Sequence, residues 1–452
     1  MRRGVVPTKV LVIVSVVLLA TCGCSTTNAS SPHTTPGASV PATRLAQPAA
    51  PLSVYTGSTD GSVSAFDAVS GAVRWRSIVA SSGSTITVAA LGDGAVYVSA
   101  TNVIQHPLTT VLAALRASDG SVLWHTAPAG TATIVATDPG IVYLALDRGE
   151  VTPHEIQMLR AQDGAVLWRT QVEGAGPLHA SMHEGTLYVT SFTTQVPSPG
   201  YFYESTMVYA LNARTGAIAW RTALGRTDYL AAVADGAVYL VDTGTDVVCE
   251  PNVLHVLSAR DGTERWHSEG TLLRLIGAEQ GRAYVGVVPE GCAAIAYDHM
   301  ALSARNMGDG AILWQVDVPS AYSGPLANGV IYMPGADTSL AAYSARDGSR
   351  LWHVQGESGQ LWALDQGLYA SDAGVGLDAL NPANGSVQWR FQTHDAVFVA
   401  TLVNGILYGV ISSRISDSLS NQAVVALQAS TGEVIWRTQL GASAGTPTVI
   451  VG

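Results

Sequence analysis

The stretch Val208-Tyr209-Ala210-Leu211-Asn212-Ala213-Arg214-Thr215-Gly216-Ala217-Ile218-Ala219-Trp220 joins a short apolar run to a small polar turn closed by glycine, then returns to an aromatic residue. Thr-Gly between two apolar runs marks a tight reversal, because glycine accepts a positive φ at no steric cost. The phrase recurs nine times. Its copies close at Gly71/Trp75, Gly120/Trp124, Gly164/Trp168, Gly216/Trp220, Gly262/Trp266, Gly310/Trp314, Gly348/Trp352, Gly385/Trp389 and Gly432/Trp436. Seven copies carry Ala three residues before the Gly, as at Ala68, Ala117 and Ala213. Copy six has Met307 there, in a turn that Met307-Gly308-Asp309 is expected to lengthen, and copy eight has Pro382.

Each Trp carries a large aromatic surface that a single hairpin cannot cover. Nine of them in one register read as a packing device between repeats. Successive Trp residues lie 37 to 52 positions apart, a period that fits four short strands with their turns. Tyr97, Tyr143, Tyr188, Tyr239, Tyr284, Tyr332, Tyr369 and Tyr408 fall in the second strand of that scheme, and Tyr55 starts the series.

Glycine turns of this spacing followed by Trp resemble the tryptophan-docking repeats of quinoprotein-type, or PQQ-like, β-propellers. The resemblance runs from about Leu52 to the C-terminus. It implies an all-β propeller of four-stranded antiparallel blades in which each Trp packs between neighbouring blades. Nine copies imply nine blades, whereas propellers ordinarily have four to eight and this family usually eight. Eight blades plus one displaced hairpin therefore stands beside nine. The first copy lacks an innermost strand, and the apolar segment ending Thr448-Val449-Ile450-Val451 is expected to supply it and close the ring.

The 452 residues are 47% hydrophobic, 13% charged and rich in Gly, which fits a large all-β core. A net charge of −11 carries no nucleic-acid footprint. Lys9 is the only lysine, so lysine-based covalent chemistry is excluded from the mature chain. Arg2, Arg3 and Lys9 precede an apolar run at 10–20 that is short for a membrane span, and Cys22 and Cys24 follow at once. This resembles a bacterial lipoprotein signal over 1–24, with Cys24 (or Cys22) as the lipidated residue; an ordinary cleaved signal or an uncleaved anchor is the alternative. Losing the three cations takes the charge from −11 to −14. Residues 25–51 are Ser, Thr, Pro and Ala with almost no charge, the composition of a flexible tether. Residues 52–452 would then form the propeller, lipid-anchored on the extracytoplasmic face of a membrane and monomeric. Cys249 and Cys292 lie at equivalent places in successive repeats, where an exported protein can form a disulfide; two free thiols are the alternative.

The longer connections, at 102–108, 148–156, 192–206, 243–252, 289–299 and 412–422, fall between second and third strands and so share one face. Loops gathered on a rigid scaffold are where binding usually resides. The longest, 192–206, carries Tyr201-Phe202-Tyr203, an aromatic trio suited to anchoring a protein partner. Catalytic patterns are poor. His154-Glu155 begins a zinc-protease pair, but Met158 stands where the second His is needed. His179 and His183 have helical spacing in a strand-like segment. Asp242, Asp246 and Glu250 make no full calcium loop and read as surface acidity. His125, His267 and His353 follow motif Trp residues where Arg76, Arg169 and Arg221 stand elsewhere, as on a polar outer strand face.

The family's dehydrogenases carry adjacent cysteines near a quinone, together with calcium. Neither can be matched here, so no cofactor, metal or catalytic residue is expected. In architecture the chain also resembles the propeller lipoprotein of the outer-membrane β-barrel assembly machinery, which implies a protein-binding scaffold. A quinone-dependent dehydrogenase, or a sensor binding a small molecule or glycan in the central channel, is the alternative.

Overall fold

Runs of five to nine aliphatic, β-branched and aromatic residues between glycine turns pair with their sequence neighbours as antiparallel strands. The computed structural model describes residues 52–102, 108–148, 153–198, 201–225, 228–242, 251–288, 299–320, 323–335, 337–356, 359–372, 376–414, 420–443 and 447–452. Among them are strands and turns and no helix. Seven sheets have four strands, and an eighth has seven because the strand Glu264–Glu279 serves twice. Its first half pairs with Asn252–Ser258 as the outer strand of one unit, and its second half pairs with Arg282–Val288 as the inner strand of the next. Among the described residues thirty-five strands thus build nine four-stranded blades, which resolves the choice between eight and nine.

The first blade is completed from the far end of the chain. Val54, Tyr55 and Thr56 pair with Val451, Ile450 and Val449, so the C-terminal strand supplies the missing inner position. Closure by the last strand covers the inner edge of Ser53–Gly57, as an inner strand does in every other blade.

Neighbouring blades are joined by the recurring phrase. Each motif Trp donates its indole N–H to the carbonyl of the residue three before the Gly of the next blade, at 2.7–3.2 Å. The ring lies over that Gly: a Cβ on Gly216, whose φ is +71°, would come within 2.6 Å of the Trp168 ring. Glycine is therefore required twice there, by backbone conformation and by close approach. Eight of the nine Tyr residues lean on the Trp of their own blade at 5.8–6.4 Å between ring centroids.

The nine Trp residues share this bond but not the same degree of cover. Trp389 donates to the Ala429 carbonyl at 2.8 Å and is buried, as are Trp75, Trp124, Trp220, Trp266 and Trp436. Trp314 donates to the Ala345 carbonyl at 3.2 Å, the longest of the set, and is only half-buried. Trp168 and Trp352 are half-buried too. A Trp packed between blades is therefore not fully enclosed in every copy. The bond and the stacking over Gly are what all nine have in common, since Trp314 still lies 2.6 Å from the Cβ position of Gly348.

Two further details differ from expectation. Copy six is not longer: Gly310 N–H bonds Asn306 O as Gly71 N–H bonds Asp67 O, so Met307 replaces Ala inside the same turn. The register also slips once in every blade just before the Trp, as between Ala210↔Trp220 and Leu211↔Ile218. This β-bulge turns the Trp inward and leaves both preceding residues outside, which is why Val122 and Leu123, or Ile312 and Leu313, are exposed.

Candidate functional site

Connections between second and third strands share one face of the ring, and among the described residues the fourth blade extends furthest there. Its middle strands, Thr186–Ser198 and Tyr201–Asn212, are 13 and 12 residues long. The inner strand pairs with them only as far as Phe192, and the outer strand only as far as Thr206. Beyond those points, among the described residues, the two middle strands pair only with each other, through Thr193↔Ser205, Thr194↔Glu204, Gln195↔Tyr203 and Ser198↔Tyr201. Segment 192–206, expected as an irregular loop, is therefore a two-stranded ribbon. The physical reason is local. Phe192, Thr193, Thr194 and Val196 are followed by a second run rich in aromatic and β-branched residues at 201–206, and the strand propensity of the two runs outweighs the Pro, Ser and Gly between them. Tyr201, Phe202 and Tyr203 occupy its returning strand. Residues 412–414 and 420–422, also read as loop, likewise pair as strand.

Residues 103–107, 149–152, 243–250, 289–298 and 415–419 of the other connections lie outside the described residues, and so do Cys22, Cys24, Cys249 and Cys292. The lipidation and disulfide expectations fall with them.

A polar cluster stands at the same face of the third blade. His154 opens the strand His154–Arg160 and is wholly buried. Its Nδ1 accepts from the Arg148 N–H at 3.2 Å and lies 3.4 Å from the Asp147 carboxylate. Burial holds the imidazole pKa below its ordinary value, against the opposing pull of Asp147. Glu155, also buried, is ion-paired with Arg148 and lies 3.5 Å from Arg169 Nε. The pair that opened like a protease motif is thus an ion-paired clasp at a strand end.

His179 and His183 share the strand Ala175–His183. Four residues of strand span about 13 Å, too far for one metal ion. His179 instead meets the Phe192 ring edge-on at 6.1 Å, and burial lowers its pKa. Asp242 is buried rather than part of an acidic surface, and its carbonyl accepts from Asn252 Nδ2 at 2.9 Å. Among the described residues no group of three His, Cys, Asp or Glu side chains is arranged to hold a metal.

The residue after each Trp does lie on a polar outer strand face, and in six of the nine copies it carries an ion pair there. Arg76 meets Asp60, Arg221 meets Glu173, and Arg390 grips the buried Asp378 with two bonds of 2.6 and 2.8 Å. The structure adds a docking position that the Gly-to-Trp phrase does not include. Two residues after Trp, Ser77, Thr170, Thr222 and Thr438 donate to the Gly carbonyl of the next blade's turn. Its trace in the sequence is Trp-x-Ser/Thr, which recurs in six of the nine copies. Trp314 and Trp389 are among the three exceptions, with Val316 and Phe391 at that position, so their seams lack this second bond.

Blades locked by Trp, Gly and a shared turn carbonyl place the chain among the PQQ-like repeat propellers. The chain belongs to the family described as outer membrane protein assembly factor BamB, whose profile matches residues 59–155, 152–278, 250–401 and 373–451. It is 24% identical over 247 residues to outer membrane protein assembly factor BamB of Yersinia pestis, covering 51% of this chain and 59% of that one. The chain thus spans about three fifths of that relative's length. Among solved structures, BamB from Moraxella catarrhalis matches at 17% identity over 72% of this chain and 90% of that one, with a TM-score of 0.44. Quinohemoprotein alcohol dehydrogenase from Comamonas testosteroni matches at 13% identity over 81% and 75%, with a TM-score of 0.44. These structural likenesses concern the fold alone.

Proposed function

We propose that the chain is an extracytoplasmic scaffold, tethered to a membrane through a lipid on Cys24 (or Cys22), that binds other proteins through its loop face. The ribbon of the fourth blade is the primary contact. The observation that carries this reading is the run of ribbon pairs beyond Phe192 and Thr206, where among the described residues neither strand has a second partner strand. Such edges offer rows of N–H and C=O groups to an added strand, while side chains at alternate positions select the partner. Membership of a family described as an assembly factor supports a role in bringing other proteins together.

A photo-crosslinking residue in place of Tyr203, activated in native membranes, tests the contact. Comparison is with a chain in which residues 194–204 are replaced by Asn-Gly, which keeps the Thr193↔Ser205 pair and closes a two-residue hairpin. The full ribbon is expected to capture a defined partner that the trimmed chain fails to co-purify. Capture of no partner, or co-purification of the same set by the trimmed chain, removes the ribbon from the proposal. The tether is checked separately: a labelled fatty acid should enter the full-length chain and be lost from Cys24→Ser.

A further inference from the structure

The seam that closes the ring is tight at its docking turn and looser one step along the outer strand. Trp436 holds the Ala68 carbonyl at 2.9 Å, within the range of the other seams. Two residues on, Thr438 Oγ1 stands 3.3 Å from the Gly71 carbonyl, whereas Ser77, Thr170 and Thr222 make the same bond at 2.5–2.7 Å. A cleft of about 130 Å³ opens beside it, between the first blade and Thr438, Gln439 and Leu440 of the ninth.

The first blade's side of this cleft is polar where its counterparts are not. Thr56 pairs with Ser64, and Ser64 with Arg76, so the three stand in line across neighbouring strands, and all of them line the cleft. In the other eight blades the position of Thr56 is apolar or glycine, as at Val98, Leu144, Leu240 and Gly409. Ser58 and Ser62 extend the row of hydroxyls. Phe66, which is buried, supplies apolar wall together with Val73 and Leu440.

The cation among the lining residues is already neutralised. Arg76 is ion-paired with Asp60, and its Nε donates to the buried Ser62 hydroxyl at 3.0 Å. Among the described residues the hydroxyls of Ser58 and Ser64 and the Gln439 amide make no hydrogen bond. Thr56 donates only weakly, to the Gly57 carbonyl at 3.4 Å, and can still accept. Bonding groups of both kinds, an apolar wall and no net charge suit a neutral ligand that carries hydroxyls on one edge and C–H groups on the other; a charged one would lack a counterion there. A cavity of about 150 Å³ takes a molecule of benzene size, so this cleft admits about six heavy atoms. We propose that the closure seam binds the vicinal diol of a small neutral polyol, or of a sugar end group entering by one edge. Thr56, Ser64 and Gln439 are its hydrogen-bonding partners, and Phe66 lies against its carbon atoms. The site belongs to the first and ninth blades and does not depend on the ribbon of the fourth.

Saturation-transfer NMR on the full chain tests this with glycerol and with methyl glucopyranoside, and with propanol as control. Transfer is expected to glycerol and not to propanol, which has the same three carbons and one hydroxyl. Transfer to the glucoside as well would mean that sugar end groups enter; its absence would limit the site to free polyols. Ser64→Val installs the residue that the ninth blade carries at this position, Val425, and Thr56→Val installs that of Val98, Val189 and Val285. Both should therefore fold, and each should raise the glycerol dissociation constant about tenfold. No transfer to either diol, equal transfer to propanol, or an unchanged dissociation constant in both valine variants overturns the proposal. If neither variant folds, an unchanged dissociation constant in Gln439→Leu, at an exposed position, does so.

Discussion

The indole N–H of Trp436 donates to the carbonyl of Ala68 at 2.9 Å, across 368 residues of chain. It is the bond that every other blade makes to its successor, so the ring closes with the chemistry of its own repeat. Tyr408 Oη reaches the same carbonyl at 3.0 Å, and Thr438 Oγ1 meets the Gly71 carbonyl at 3.3 Å. Two separate devices therefore hold the seam: this contact near the rim and the strand pairing of Val449–Val451 at the inner edge.

Those devices can be weakened independently. Trp436→Phe removes the donor and part of the ring while Tyr408 still serves the carbonyl, and should destabilise by about 2–3 kcal/mol. Deleting residues 447–452 removes the inner strand and exposes the apolar edge of Ser53–Gly57, and should lower stability further. Urea unfolding midpoints order the two. Equal midpoints for the deletion and the intact chain would mean that the closing strand adds nothing.

Two glycines separate backbone conformation from close packing. Gly185 has a φ of +73° and nothing within 4 Å of where an added methyl group would lie, whereas Gly216 has a φ of +71° and a Trp ring 2.6 Å away. Gly185→Ala should cost about 1–2 kcal/mol, from the left-handed conformation alone. Gly216→Ala adds the displacement of Trp168, about 1–3 kcal/mol more. Similar losses of stability in chemical denaturation would argue that the ring over Gly216 yields freely.

The blade architecture was legible in the sequence because its determinants are local and repeated: turn glycine, offset Trp, second-strand Tyr. Ring closure was legible too, since the first repeat lacks a strand and the last segment carries a spare one. The ribbon at Tyr201–Asn212 was not. Pro, Ser and Gly marked it as loop, and alternate pairing of the flanking β-branched runs shows only when both are laid side by side. The bulge before each Trp was hidden because Val-Leu-Trp looks the same with or without it. The uneven cover of the Trp rings was hidden as well, because Trp314 and Trp389 sit in the same phrase and differ only in what surrounds them.

The docking carbonyl explains why the turn tolerates Met307 and Pro382. Trp352 Nε1 bonds the Pro382 carbonyl at 2.8 Å, within the range of the Ala copies. Only the backbone oxygen takes part, so Pro382→Ala should change stability by no more than about 0.5–1 kcal/mol. Trp352→Phe, by contrast, should cost about 1 kcal/mol from the lost bond, besides the lost ring volume. If Pro382→Ala proves as damaging as Trp352→Phe, the proline ring itself supports the seam.

Acid sensitivity should begin at histidine. Burial keeps the folded-state pKa of His154 below its ordinary value of 6.5. As pH falls through 6.5 the unfolded chain takes up a proton that the folded chain refuses, so the unfolded state is favoured. The stability tied to a neutral His154 is thus present above pH 6.5 and declines below it. His179, whose pKa burial also lowers, acts in the same direction. Asp67 belongs to another window. Its hydrogen bonds with Arg74 and Ser70 hold its pKa far below 3.8, so its contribution is lost only as pH drops past that value. Midpoints measured from pH 7.5 down to 2.5 should fall first between pH 6.5 and 5. His154→Gln can still accept from the Arg148 N–H and should flatten that slope while leaving the loss below pH 4 unchanged. An identical slope in the variant would place the titration on other groups.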